Sequence, residues 1–292
     1  MHGTVAVTGG SGKLGRAVTT VLSAAGWQVV NLDVNPAPGS QIPYVKVDLT
    51  DYGQVVEALS GIEIVHSGLD AVVHLAAFPR AGLVPNVTTF HNNLLSTFHV
   101  FQAATLAKID NLVWASSETL FGVPFLTAPD YVPLDEDAPI RSEITYSLVK
   151  DLEEEMARQY CRRRPQQKMI ALRLSYITDD ADYVDFPAIE QDPGSRRWNL
   201  WAYIDVRDAA QAVLRALEYT VPGFDNFIVA NADTVTTRPS SELVEEFFPG
   251  AELRRPLEGT ESLLDISKAR QVLRWEPMHS WRTRVTDRAV HP

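Results

Sequence analysis

Short apolar runs alternate with amphipathic stretches through the first half of this 292-residue chain. Gly3 to Val7 is apolar and β-branched and predicts a strand. A glycine-rich turn follows, and then an Ala/Val/Leu-rich helical stretch to Ala25. A second apolar strand, Gln28 to Leu32, ends in Asp33. Asp48-Leu49 close a third, with Thr50 placed to cap the next helix. Ala71 to Leu75 and Leu112 to Ala115 predict the fourth and fifth strands. A long helix from Thr145 to Arg164 then leads into a sixth strand, Met169 to Leu174. Strands alternating with helices predict an α/β fold around a parallel sheet. Beyond Leu174 the pattern loosens. Thr178 to Ser195 is acidic, aromatic and irregular, Tyr203-Ile204 leads into a helix capped by Asp205, and Phe227 to Ala230 reads as another strand. Helices surround Glu242 to Phe248 and Ser267 to Leu273. The expected division is residues 1–174 as the sheet domain and 175–292 as a smaller lobe, interwoven with one late strand and helix of the sheet domain.

The turn after the first strand reads Thr8-Gly9-Gly10-Ser11-Gly12-Lys13-Leu14-Gly15. Glycines let the backbone approach a pyrophosphate, and the free amides at a helix start favour its negative charge, so strand, glycine turn and helix together predict a dinucleotide site. The sheet is therefore expected to be a doubly wound, Rossmann-type one, with Gly9, Ser11, Gly12, Lys13, Leu14 and Gly15 at the cofactor. Asp33 stands where a carboxylate accepts hydrogen bonds from the adenine ribose and repels a 2'-phosphate, which predicts NAD. Lys13 is the residue that could soften this preference toward NADP. Asp48 and Leu49 are expected to flank the adenine, and Leu75, Ala76 and Ala77 to let the cofactor lie against the backbone. Ser117 falls at the carboxyl end of a central strand, where open α/β sheets bind ligands.

Tyr146 and Lys150 stand four residues apart, one turn along the predicted helix. A phenol titrates near ~10 and is a poor base at neutral pH unless a nearby positive charge stabilises its phenolate. Lys150 supplies that charge.

The glycine motif, Asp33, the Ser117 region, the Tyr146 to Lys150 spacing and the closing stretch Leu264-Asp265-Ile266-Ser267-Lys268-Ala269 to Leu273-Arg274-Trp275-Glu276-Pro277 occur in one order. In that order the chain resembles an extended short-chain dehydrogenase/reductase of the NAD-dependent epimerase/dehydratase group over nearly its whole length. The resemblance implies that Tyr146 is the acid/base, that Lys150 lowers its pKa and holds the nicotinamide ribose, and that Ser117 hydrogen-bonds the substrate oxygen. Asn93 matches the helix asparagine that supports a proton relay in relatives; the alternative is an exposed or capping amide. Asn93, Tyr146, Lys150 and Ser175 join the expected cofactor contacts. The smaller lobe is the expected substrate lobe, and the Pro124 to Pro139 loop is expected to border the pocket.

Three chemistries share these residues. Dehydratases of the group carry an acidic pair after the serine or threonine, whereas this chain has Glu118 and then Thr119. Nucleotide-sugar epimerases need diphosphate anchors. Here Arg173 is followed by Leu174, Ser175 and Tyr176, where relatives have an asparagine three residues on. Trp201 stands where an arginine usually precedes the Tyr-Ile-x-Val segment. Arg254 or Arg255 could still meet a phosphate. The reading is oxidation of a hydroxyl on a sugar or sugar acid, with a nucleotide-sugar 4-epimerase as the alternative. Phe78, Arg80, Ser117, Glu118, Thr119, Tyr176 and Trp201 are the expected substrate contacts. Glu118 either binds a substrate hydroxyl or points to solvent, Tyr176 and Trp201 either stack on the sugar or pack the lobe, and Arg80 is either a carboxylate clamp or solvated.

Charge and composition narrow the partners. A net charge of −11 argues against nucleic acid and anionic membranes, which reward basic surfaces. Arg162-Arg163-Arg164 reads as a helix end stabilised by cations. One cysteine, Cys161, has no internal partner, no apolar stretch has membrane length, and a cytoplasmic enzyme is expected. The seven histidines are scattered, so no metal is expected. Relatives commonly pair through helices corresponding to about Thr88 to Lys108 and Thr145 to Arg164, and a homodimer is expected on that resemblance.

Overall fold

The computed structural model of the chain describes residues 3–283. Seven strands form the central sheet: β1 (Thr4–Thr8), β2 (Gln28–Asp33), β3 (Tyr44–Lys46), β4 (Ala71–His74), β5 (Asn111–Ser117), β7 (Lys168–Leu174) and β10 (Gly223–Val229), in the order β10-β7-β5-β4-β1-β2-β3. The strand order reverses between β1 and β4, whose registers run parallel from Val5 opposite Ala71 to Thr8 opposite His74. In a doubly wound sheet that reversal opens a crevice at the carboxyl ends of the two strands. Every residue of β4 and β7 is buried, as expected for parallel strands covered on both faces.

The helices α1 (Lys13–Ala24), α2 (Tyr52–Ser60), α3 (Asn86–Leu106), α4 (Thr145–Arg163) and α6 (Val206–Glu218) connect these strands. Two local expectations are corrected. β3 ends at Lys46, so Asp48 and Leu49 lie beyond it, and α2 is capped by Asp51 rather than Thr50. Asp48 accepts from both the amide and the hydroxyl of Thr50, which draws that side chain toward Asp48, while the Asp51 carboxylate accepts from the Gln54 amide. The α4 start is closed by Ser147, whose hydroxyl accepts from the Ile144 amide and donates to the Ile144 carbonyl.

The chain folds into two compact units. The first comprises Met1–Ser116, Ile144–Leu172 and Ala210–Asn226, and the second Ser117–Glu143, Arg173–Ala209 and Phe227–Pro292. β5, β7 and β10 each begin in the first unit and end with residues of the second. The core of the first unit gathers Val30, Leu32, Phe101, Trp114 and Met169. In the second unit, β6 (Tyr131–Val132) pairs with β11 (Glu252–Leu253), and β8 (Ile177–Thr178) with β9 (Ile204–Asp205). The stretch expected to be irregular, Thr178 to Ser195, forms a 3-10 turn at Asp182–Asp185 and the helix α5 (Phe186–Gln191). Another 3-10 run follows at Pro193–Asn199, and α7 spans Ser240–Phe247. Leu134 in the Pro124 to Pro139 segment donates its amide to the Leu263 carbonyl. Among the described residues, no helix is long and apolar enough to cross a membrane.

Candidate active site

The first unit holds the glycine turn. Gly9 adopts φ +70°, and a side chain there would meet the Ala76 amide nitrogen at 2.7 Å; a side chain on Gly15 would meet the Gly9 carbonyl at 2.1 Å. These two glycines let turn, strand and helix close on one another. Gly12 differs, since a side chain there would meet only the Gly9 carbonyl, at 3.3 Å. It caps α1 without giving the first-turn amides a side-chain partner. Gly12 and the α1 start are therefore open to a phosphate, and the turn fits a dinucleotide. Lys13 is exposed at the first residue of α1, and Leu14 is buried beneath it.

Asp33 ends β2 with both oxygens engaged, Oδ2 by the Ser11 amide at 3.1 Å and Oδ1 by the Asn35 amide at 3.1 Å. Each oxygen keeps a second lone pair for a ribose hydroxyl. The Ser11 hydroxyl donates to the Asn35 carbonyl, which ties the glycine turn to the end of β2. Asp48 is exposed, whereas the Leu49 side chain is buried in the core. Leu75, Ala76 and Ala77 follow β4 half-buried. Asn93 is 1% exposed, which excludes the exposed-amide alternative. Its Oδ1 accepts from the Phe78 amide at 2.8 Å and its Nδ2 donates to the Phe78 carbonyl at 3.0 Å. The amide thus pins the loop after β4. Arg80 lies on that loop, exposed.

Tyr146 and Lys150 lie in the first turns of α4, 7% and 3% exposed. Lys150 Nζ is 5.8 Å from the Tyr146 ring centre and donates to the Ala115 carbonyl and to Glu153 Oε2, both at 2.8 Å. Burial works to deprotonate Lys150, but Glu153 and Tyr146 outweigh it and its pKa ends above the ordinary lysine value. The ammonium is thus held charged beside a phenol.

The second unit begins with Ser117. Its hydroxyl oxygen accepts from the Thr119 amide at 3.1 Å and the Thr119 hydroxyl at 3.0 Å, which leaves the Ser117 hydrogen free to be donated. Glu118 is 5% exposed, so the solvent-pointing alternative is corrected. Its Oε1 accepts from Asn199 Nδ2 at 3.2 Å, and its Oε2 is buried without a partner. Burial pushes this carboxyl up to about 7 against the opposing pull of Asn199, Arg196 and Ser175. Tyr176 is 42% exposed, with the Arg196 guanidinium 4.5 Å over its ring. Trp201 is fully buried, donates its indole N–H to the Pro193 carbonyl at 2.7 Å and packs on Phe247 and Phe248. It therefore packs the lobe and has no face for a sugar. Arg254 and Arg255 are each paired at 2.9 Å, with Asp135 and Glu261 respectively.

Arg196 and Asn199, which the sequence reading missed, both act on Glu118, Asn199 through a hydrogen bond and Arg196 through its charge. They precede Leu200 and Trp201, two consecutive residues at positive φ (57° and 55°), a backbone reversal that no glycine announces. The Ser195-Arg196-Arg197-Trp198-Asn199 run, polar and aromatic inside a loose segment, was the available signal. Among the described residues, no group of three or more His, Cys, Asp or Glu side chains is placed to hold a metal.

The profile of the NAD dependent epimerase/dehydratase family matches residues 5–178, more than half of the chain, and the chain belongs to that family of enzymes. Among its relatives, the L-arabinose 1-dehydrogenase (NAD(P)(+)) of Haloferax volcanii is 27% identical over 243 residues, 78% of this chain and 89% of the relative. The UDP-glucose 4-epimerase of Rhizobium meliloti is 27% identical over 313 residues, covering 94% of this chain and 92% of its own. A short-chain dehydrogenase/reductase superfamily protein from Agrobacterium tumefaciens, solved with bound NAD, superposes with a TM-score of 0.72 at 22% identity, covering 98% of this chain and 96% of that one. The likeness to the solved structure establishes the fold.

Proposed function

We propose that this protein catalyses NAD-dependent oxidation of a hydroxyl on a sugar or sugar-acid substrate. The observation that carries the reading is Lys150, buried, charged and 5.8 Å from the ring of Tyr146. Its field favours the phenolate, and a phenolate can take the proton of a substrate hydroxyl. Bound NAD would supply the hydride acceptor for the carbon that bears that hydroxyl. The Gly9 to Gly15 turn and Asp33 would hold the cofactor, with Leu75, Ala76 and Ala77 beside it. Ser117 donates its remaining hydrogen to the substrate oxygen as that oxygen becomes a carbonyl. Protonated Glu118 donates to a second substrate hydroxyl. Arg196, partly buried with one unpartnered nitrogen, replaces exposed Arg80 as the candidate for a uronate carboxylate.

The alternative, a nucleotide-sugar 4-epimerase, needs cations for a diphosphate. Arg254 and Arg255 are committed to carboxylates, and Trp201 occupies the place of the expected arginine as a packing residue. These observations favour the dehydrogenase. The test is to mix the protein with NAD and a panel of aldoses, uronates and cyclic polyols, and to follow absorbance of the reduced nicotinamide. Net reduction is expected with a free sugar or uronate. Interconversion of UDP-hexoses without net reduction would transfer the assignment to the epimerase.

A further inference from the structure

Lys150 is one end of a buried hydrogen-bonded chain that lies wholly within the first unit. One turn along α4, Glu153 is fully buried and accepts from Lys150 Nζ on Oε2 at 2.8 Å. Its other oxygen accepts from the Thr97 hydroxyl of α3 at 2.9 Å. Thr97 Oγ1 is 3.0 Å from His74 Nε2, and His74 Nδ1 is 2.7 Å from Thr8 Oγ1, at the carboxyl ends of β4 and β1. Thr8 Oγ1 also lies 3.2 Å and 3.4 Å from the amide nitrogens of Leu75 and Ala76.

Donor counting gives this chain a direction. Thr97 has one hydrogen and donates it to Glu153, so it accepts from His74 Nε2–H. His74 Nδ1 then accepts from the Thr8 hydroxyl, whose oxygen accepts the two amides. His74 stays neutral, because burial and the charge of Lys150 push it down to about 3. A carboxylate at Glu153 satisfies every member of the chain; a protonated one would lose the bond from Thr97 or from Lys150.

A buried ammonium with no anion beside it releases its proton readily. We propose that Glu153 is a positioning residue that keeps Lys150 charged beside Tyr146, and that the Thr8, His74 and Thr97 chain holds the Glu153 carboxylate in place. The inference rests on the reading of Tyr146 as the base. The titratable groups whose fields reach Lys150 are Glu153, Tyr146 and Glu154 on α4, with His74 on β4. Glu154 is engaged elsewhere, by the Ser116 hydroxyl at 2.7 Å and by Arg158 at 3.5 Å, so Glu153 is the carboxylate in contact with Lys150. Its place three residues after Lys150 puts it on the same face of the helix.

The experiment is a spectroscopic titration of Tyr146 in the intact protein, taken as the tyrosinate absorbance of each form minus that of the same form carrying Tyr146→Phe. Glu153→Gln is expected to let Lys150 lose its proton and to move the Tyr146 ionisation to higher pH by about one unit, tenfold in proton affinity. Glu153→Asp is expected to restore part of the shift, and Thr97→Val to cause a smaller shift in the same direction. A Tyr146 titration unchanged in Glu153→Gln, or moved to lower pH, overturns the proposal; so does an unchanged Thr97→Val titration if Glu153→Gln does not fold. Turnover of Tyr146→Phe, assayed beside these, separates the two readings. Activity surviving in it removes Tyr146 as the base, whereas an unmoved titration removes only the role of Glu153.

Discussion

Glu118 concentrates the residue-scale physics of the second unit. Its carboxyl is buried, one oxygen has no partner, and its pKa is raised to about 7 from the ordinary 4.5. The folded state thus binds this proton more tightly than the unfolded chain does. Its contribution to stability is complete below the unfolded value and is lost as pH rises through the window up to about 7. The full effect is on the order of 3 kcal/mol. Glu118→Gln is expected to flatten the fall of the thermal midpoint across that window, and a slope identical to the native protein's would contradict the buried, protonated carboxyl. Sequence alone left Glu118 open between substrate and solvent, because its burial depends on Asn199, 81 positions away. It left Trp201 open between stacking and packing for the same kind of reason, since the ring's partners Phe247 and Phe248 belong to a distant segment. Tyr146 and Lys150 were legible because their relation is local, one helical turn on a single helix.

The elements nearest the amino terminus were the most legible. A β-branched run, a glycine turn and an alanine-rich helix each follow from local preference, and the structure sets them at Thr4–Thr8 and Lys13–Ala24. The glycines of that turn do different work, which gives a test at this scale. Gly15→Ala places a side-chain carbon 2.1 Å from the Gly9 carbonyl and is expected to lower the thermal midpoint of the protein without NAD. Gly12→Ala, with only a 3.3 Å neighbour, is expected to cost much less stability and yet to weaken NAD binding, measured by titration calorimetry. Equal loss of stability in the two variants would contradict the separation of packing from phosphate approach. The cap of α2 was misplaced by one residue because Thr50 and Asp51 are both good caps, and only the turn around Asp48 decides between them. The short helices between Asp182 and Asn199 were not legible, since runs of four to seven residues carry too little periodicity to read.

For the whole molecule, the alternation of strands and helices was enough to fix the α/β class and the Rossmann-type sheet. The grouping of segments into two units follows long-range contacts. It puts residues 117–143 with the second unit although they lie between β5 and α4. The order of motifs reaches the scale of the full chain and agrees with the NAD dependent epimerase/dehydratase family, whose profile matches residues 5–178. At that scale the proposed function assigns the proton transfer to Tyr146 and the cofactor to other residues. Its most direct test compares Tyr146→Phe with the native protein on the substrate that the sugar panel identifies. Turnover is expected to fall by about 10²- to 10⁴-fold, the usual worth of a general base, with NAD affinity nearly unchanged. Undiminished turnover in Tyr146→Phe would remove Tyr146 as the base.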